Sequence, residues 1–84
     1  MSIEEIYSRL TQIFRDVLED DSISLLPETT ADDIDEWDSL SHIQLIVAAE
    51  QVFGVRFASR EIMKWKNVGE WVCCIEEKIS RKSV

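Results

Sequence analysis

Few side chains in this sequence could do covalent chemistry at neutral pH. They are Ser39 and His42, both in the stretch DEWDSLSHIQLI (Asp35 to Ile46), and the adjacent pair Cys73 and Cys74. The carboxylates crowded into DDIDEWD, from Asp32 to Asp38, add a possible ion site. Ser39 and His42 are three residues apart, a spacing that puts two side chains on one helix face. A Ser–His pair becomes a hydrolytic site only with an orienting acid and a shaped oxyanion pocket. Nothing in the sequence marks either, so His42 reads as a packed or capping histidine and no catalytic residue is assigned. Calcium coordination of the EF-hand type needs a glycine at loop position six and a glutamate at twelve. The first glycine here is Gly54, well after the acidic run, so no metal cage is expected. Neighbouring cysteines cannot bridge distant segments and lack the C-x-x-C spacing of zinc and redox sites. They read as partly exposed thiols in a reducing, cytoplasmic compartment.

Ser39 is placed by what flanks it. If Asp38 is the helix N-cap, Ser39 is the first residue inside the helix and has no capping task of its own. Its hydroxyl then stands at the positive end of the helix dipole, an environment that stabilises an attached phosphate. Leu40, next in sequence, opens an apolar strip. A hydroxyl, a helix start, an acidic approach and an apolar strip together suit a covalent attachment point.

The elements that must hold this point follow from hydrophobic rhythm. Ile3, Ile6, Tyr7, Leu10, Ile13, Phe14, Val17 and Leu18 keep the i, i+3, i+4, i+7 spacing of an amphipathic helix. Ser2 and Glu5 before it have the spacing of a capping box. The next twenty residues, EDDSISLLPETTADDIDEWD, break the rhythm and contain the sole proline, Pro27. Ile23, Leu25, Leu26, Ile34 and Trp37 are the expected anchors of this long loop. Loops of such length in compact domains are usually functional.

A second helix is predicted from Ser39 to Phe53, with two apolar faces. Leu45, Ile46, Ala49, Val52 and Phe53 form the core side, and Leu40, Ile43 and Val47 lie roughly opposite. In so short a chain a helix is seldom buried on both sides, so the second face is expected to meet other proteins. Gly54 suits a left-handed helix end. SREIM allows one short helical turn. Asn67 caps a last helix whose inner face is Val68, Trp71, Val72, Ile75 and Ile79. Trp65 before it covers the core or rims a cavity for a bound apolar chain. The expected architecture is all-α over residues 1–84 as a single domain: a small four-helix bundle of three main helices and one short one, with a long acidic loop between the first two.

Charge narrows the partners. The net charge is −8, and eleven acids without one Lys or Arg lie between Asp16 and Val55. Seven bases against four acids follow from Arg56 onward. Such a field repels nucleic acid and anionic lipid and attracts basic protein surfaces. No apolar run is long enough to span a membrane, and the start MSIEEIYSRL lacks a secretory pattern.

Taken with its flanks, the D-S-L of Asp38, Ser39 and Leu40 resembles the acyl carrier protein family. The resemblance runs over nearly the whole chain. It includes the helix lengths, the long first loop, the E-x-x-F-G-V end of the second helix and the NVGEWV start of the last. It implies that Ser39, flanked by Asp38 and Leu40, receives 4′-phosphopantetheine from coenzyme A through a phosphodiester. The terminal thiol of that arm would carry acyl groups as thioesters. A monomer is implied, served by a phosphopantetheinyl transferase, an acyl-loading ligase or acyltransferase, and synthases with basic docking surfaces. Those partners would meet Leu40, Ile43 and Val47 together with the acids Asp35, Glu36 and Glu50.

The chain departs from many fatty-acid-synthase carriers in having Ser41, His42 and Gln44 where acids follow D-S-L. With Trp37 before the motif, this resembles carriers of specialised lipid or polyketide pathways. The alternatives are a peptidyl or aminoacyl carrier, whose G-G-x-S is poorly matched by Glu36-Trp37, and an unmodified acidic helical adaptor.

Overall fold

The computed structural model describes residues 1–82, with the side chain of Lys82 outside the description. Four helices form, α1 (Ile3–Leu18), α2 (Ser39–Phe53), α3 (Ser59–Lys64) and α4 (Val68–Lys82), and there is no strand among the described residues. The all-α bundle expected from the sequence is therefore the fold, with the two long apolar-periodic segments forming at their anticipated limits.

Local chemistry sets each boundary. The Ser2 hydroxyl accepts the Glu5 N–H at 3.2 Å, but the return bond from the Glu5 carboxylate is not made, so only half of the expected capping box forms. At the far end of α1, Glu19 takes a left-handed conformation (φ 53°) and returns its N–H to the Arg15 carbonyl. The Arg15 side chain then donates from Nε to the Ile23 carbonyl at 2.9 Å, tying the first part of the loop to α1. Gly54 ends α2 at φ 65°, where a residue without Cβ meets no penalty.

The long loop is ordered by burial and by bonds to the start of α4. Ile23, Leu25 and Ile34 enter the core. One turn of 3-10 helix at Ala31–Asp33, which periodicity does not reveal, is framed by Thr30 and Asp33. The Thr29 carbonyl accepts the Val68 N–H at 2.8 Å, and the Pro27 carbonyl accepts the Gly69 N–H at 2.9 Å. This approach is so close that a Cβ on residue 69 would stand 3.0 Å from the Pro27 oxygen. Only glycine fits there without a shift of the loop.

The core centres on Ile6, Leu10, Phe14, Leu45, Val68, Trp71, Val72 and Ile75, which are fully buried. Phe14 meets Trp37 edge-on at 4.9 Å and Trp71 at 5.8 Å. Three residues expected in the core are not. Leu26 is exposed, because it begins the tight turn closed by Thr29 N–H to its carbonyl and points away from its buried neighbour Leu25. Val52 is exposed; it sits at the edge of the inward arc in the last turn of α2. Ile3 is exposed at the first turn of α1.

Candidate attachment site and docking face

Asp38 caps α2, as anticipated. Its backbone is extended and its carboxylate accepts the Ser41 N–H at 2.9 Å. Ser41 returns the interaction, its hydroxyl accepting the Asp38 N–H at 2.8 Å and donating to the Glu36 carbonyl at 2.9 Å. This buried hydroxyl locks the turn from Glu36 to Asp38 and makes a reciprocal capping box with serine at the third helical position. Sequence reasoning treated Ser41 only as a missing acid. The D-x-x-S spacing was the signal that could have found it.

Ser39 is the first helical residue and is exposed. The N–H groups near it are not vacant, however. The Ser41 N–H, the Ser41 hydroxyl and the Leu40 N–H all draw on Asp38, and the Ser41 N–H above all holds its carboxyl below the usual carboxylate range. The cap therefore takes up part of the helix end expected to favour an anion, the Ser41 N–H above all. A phosphate on the Ser39 oxygen would be directed toward solvent and a partner enzyme. This is what an attachment point requires: a fixed backbone and a free, accessible hydroxyl. The residues present fit a phosphodiester-linked arm.

His42 lines the same pocket as Ser39 but serves a structural bond. Its Nδ1 accepts the Trp37 indole N–H at 2.9 Å, and the rings lie 5.8 Å apart. With Nδ1 an acceptor, the neutral ring carries its proton on Nε2. Burial lowers the His42 pKa, which favours that neutral form. The ring thus has no free acceptor with which to take a proton from Ser39.

The outer face of α2 is apolar, as its two-faced pattern predicts. Leu40 is 69 %, Ile43 61 % and Val47 46 % exposed. Asp35 and Glu36 lie exposed just before α2. The Glu36 carboxyl is pushed up chiefly by a hydrogen bond with the Asp20 carboxyl across the loop. Glu50, also expected at the partner surface, is half-buried and its Oε2 accepts the Phe57 N–H at 2.8 Å. That oxygen holds the chain after α2 in place and is not free for docking.

Between the start of α2 and the start of α4 opens a pocket of about 420 Å³, lined by Ser39, Trp37, His42, Trp65, Asn67 and Trp71 among others. Trp65 stacks on Trp71 at 5.2 Å and meets Phe57 edge-on at 5.1 Å, so it both covers the core and walls this pocket. Cys73 is exposed and Cys74 half-buried. Burial, followed by the nearby Glu61 carboxylate, pushes the Cys74 thiol up, away from the reactive thiolate. Among the described residues no group of three or more His, Cys, Asp or Glu side chains could hold a metal ion, and no helix is long and apolar enough to cross a membrane.

Known proteins share this arrangement. The phosphopantetheine attachment site family matches residues 8–75. An acyl carrier protein of Acidothermus cellulolyticus is 38 % identical over 72 residues, covering 86 % of each chain. One from Thermosynechococcus vestitus is 33 % identical over 81 residues, covering 95 % of this chain and 99 % of its own. The solution structure of a holo acyl carrier protein from Geobacter metallireducens superposes with a TM-score of 0.85 at 50 % identity, covering 90 % of this chain and 87 % of that one. The chain belongs to the phosphopantetheine-binding acyl carrier protein family. It is a carrier of acyl groups on a covalently attached 4′-phosphopantetheine, in a family whose members generally act as carriers rather than catalysts and work with phosphopantetheinyl transferases and acyl-transfer enzymes.

Proposed function

We propose that Ser39 is the attachment residue and that the chain, acting as one carrier unit and as a monomer in the cytoplasm, contributes no catalytic group. The observation that carries this reading is the exposed Ser39 hydroxyl on the first residue of α2, immobilised by the Asp38–Ser41 box beside it. In loading, the Ser39 oxygen gives up its proton to the transferase and attacks the pyrophosphate phosphorus of coenzyme A that bears pantetheine. The phosphorus–oxygen bond to the nucleotide half breaks and adenosine 3′,5′-bisphosphate leaves. Once in place, the arm supplies a thiol for thioester linkage.

The protein's own residues do the positioning. Asp38 and Ser41 fix the backbone at the attachment point. Leu40, Ile43 and Val47 offer apolar contact, and Asp35 and Glu36 offer charge to basic partners such as a transferase, a loading ligase or acyltransferase, and a synthase. The lack of acids directly after Leu40, with Trp37 and His42 bonded around the motif, supports service in a specialised lipid, polyketide or related pathway.

The test is intact-mass analysis after incubation with coenzyme A and a broad-specificity phosphopantetheinyl transferase. Wild type gains one phosphopantetheine and Ser39→Ala gains none. A wild type left unmodified under conditions that load another carrier defeats the proposal.

A further inference from the structure

Trp37 and His42 stand on either side of Ser39 in the chain, two residues before it and three after. Their bond therefore closes a short segment around the proposed attachment residue. The Trp37 indole N–H donates to His42 Nδ1 at 2.9 Å, and the two rings are tilted 29° apart. The Trp37 ring also meets Phe14 of α1 edge-on at 4.9 Å. One side chain thus anchors the end of the acidic loop to α1 and α2 together.

This bond depends on the state of the imidazole. An indole nitrogen only donates, and a neutral histidine accepts through the ring nitrogen that carries no proton. In a protonated histidine both ring nitrogens donate, so two N–H groups would face each other across 2.9 Å. Trp71, whose ring lies 6.4 Å from that of His42, offers no substitute acceptor. It too is donor-only, and its own Nε1 is buried without a hydrogen-bond partner. One of the two bonded rings must then turn away. His42 is the only histidine in the chain, the residue type whose charge ordinarily changes between about pH 5 and 8.

Little else charged surrounds the imidazole. Asp38 of the loop and Lys66 before α4, of opposite sign, are the charged groups that share its pocket. From α1, the end of α3 and α4 its surroundings are the rings of Phe14 behind Trp37, Trp65 and Trp71. Neither ion pair among the described residues involves it.

We infer that His42 is a positioning residue for the modification of Ser39: its neutral form latches Trp37, and with it the start of α2, and its protonation releases the latch. The effect on modification rests on the carrier reading above; the latch itself does not. Movement of Trp37 begins two residues from Ser39 and passes through Asp38, whose N–H and carboxylate make the cap. Burial lowers the His42 pKa, so the latch is closed at neutral pH and opens as pH falls below the ordinary imidazole value near 6.5. There the unfolded chain takes up the proton before the folded one, so the fold loses stability over the same range.

Two measurements test this. The first needs no transferase. Proton–nitrogen NMR of the unmodified wild type between about pH 8 and 5 follows the His42 ring, the Trp37 indole and the Ser39 amide. The Trp37 indole proton should move upfield with the midpoint of the His42 ring, and the Ser39 amide should shift with it. His42→Asn, whose side-chain oxygen can accept near the Nδ1 position but does not titrate, should show neither change. The wild-type spectra decide the matter even if His42→Asn does not fold.

The second measurement mixes equal amounts of wild type and His42→Asn with coenzyme A and the transferase in one vessel, and follows both by intact mass. The two proteins share the enzyme and every other ionisable group, the raised Glu36 carboxyl included, so the ratio of their rates isolates His42. Wild type over variant should fall about fivefold from pH 8 to 5, the scale of one intramolecular hydrogen bond. A Trp37 indole signal that ignores the ionisation of His42 would overturn the latch. A ratio independent of pH, or a Ser39 amide that stays still, would overturn the positioning role. Failure of both proteins to be modified at any pH counts against the carrier reading alone, and the Trp37 and Ser39 signals then decide the latch and its reach.

Discussion

Helices α1 and α2 are nearly equal in length and lie against each other, yet they treat their apolar residues differently. In α1 the hydrophobic side chains converge on one face, and Ile6, Leu10, Ile13 and Phe14 are buried. In α2 the inward face of Leu45, Ile46, Ala49 and Phe53 is buried, while Leu40, Ile43 and Val47 stand in solvent on the other side. Helix α1 needs only its own bundle. Helix α2 has a second apolar face that the bundle does not cover, beginning one residue after Ser39, the proposed attachment residue. An isolated exposed apolar side chain means little, but three on one helix face beside the proposed attachment residue support the docking role proposed for this surface.

The largest effect should separate the two faces of α2. Phe53→Ala is expected to destabilise the fold by about 3–5 kcal/mol, as truncation of buried aromatics does. Ile43→Glu should leave the thermal melt and helical circular dichroism unchanged while slowing modification by the transferase about tenfold, the scale of a contact residue at an interface. Equal destabilisation by both would show that α2 is enclosed on all sides and that its resemblance to α1 is closer than exposure indicates.

The loop joining the two helices supplies the next test. Gly69→Ala forces a methyl group against the Pro27 carbonyl and should cost about 1–3 kcal/mol in denaturant unfolding, the usual scale of overpacking. An unchanged unfolding midpoint would mean that the loop is not clamped to α4 and does not position the start of α2.

The start of α2 differs from that of α1 in having an ionisable cap, and pH should reveal it. The Asp38 carboxyl is held below its ordinary range, first by the Ser41 N–H and then by the Ser41 hydroxyl. A depressed folded-state value means that the stabilisation is present above the unfolded carboxylate pKa, near 3.9, and disappears as pH falls through the folded value. Wild type should therefore melt higher than Asp38→Asn at neutral pH, and the gap should narrow as the pH falls below the unfolded carboxylate range and through the lower folded-state value. A gap independent of pH would show that the cap does not depend on the charge of Asp38.

The smallest effect is that of salt. Both ion pairs among the described residues, Lys78–Glu61 and Arg81–Glu77, lie outside the acidic block from Asp16 to Val55. Its acids therefore repel one another with no ion-pair partner of opposite charge. Raising ionic strength until the Debye length falls to about 8 Å should raise the melting temperature modestly. The same salt should weaken capture by basic partner enzymes, because there it screens an attraction. A flat or falling melt would remove the support that charge lends to docking.

Much of this was legible in the amino-acid order because it depends on local rules. The limits of α1 and α2 follow from 3.6-residue periodicity, Ser2, Asp38 and Gly54, all features within a turn or two of the element they bound. The exposed face of α2 was legible for the same reason, since a helix with two opposite apolar faces in so short a chain has only one neighbour to bury against. Ser39 could be singled out by its place between a cap and an apolar strip.

What the tertiary structure alone decided concerns contacts between residues far apart in the chain, or between side chains whose directions the period does not give. The burial of Leu25 but not Leu26 depends on a turn closed by Thr29. The commitment of Glu50 depends on the returning strand of chain at Phe57, and the need for glycine at 69 on the passage of Pro27. The Trp37–His42 bond and the unpartnered Trp71 N–H arise only when the loop, α2 and α4 come together. Hydrophobic pattern determines which face of an element turns inward, because burial depends on area and not on direction. Hydrogen bonds are directional and short, so their partners are fixed only once the packed bundle has placed both atoms.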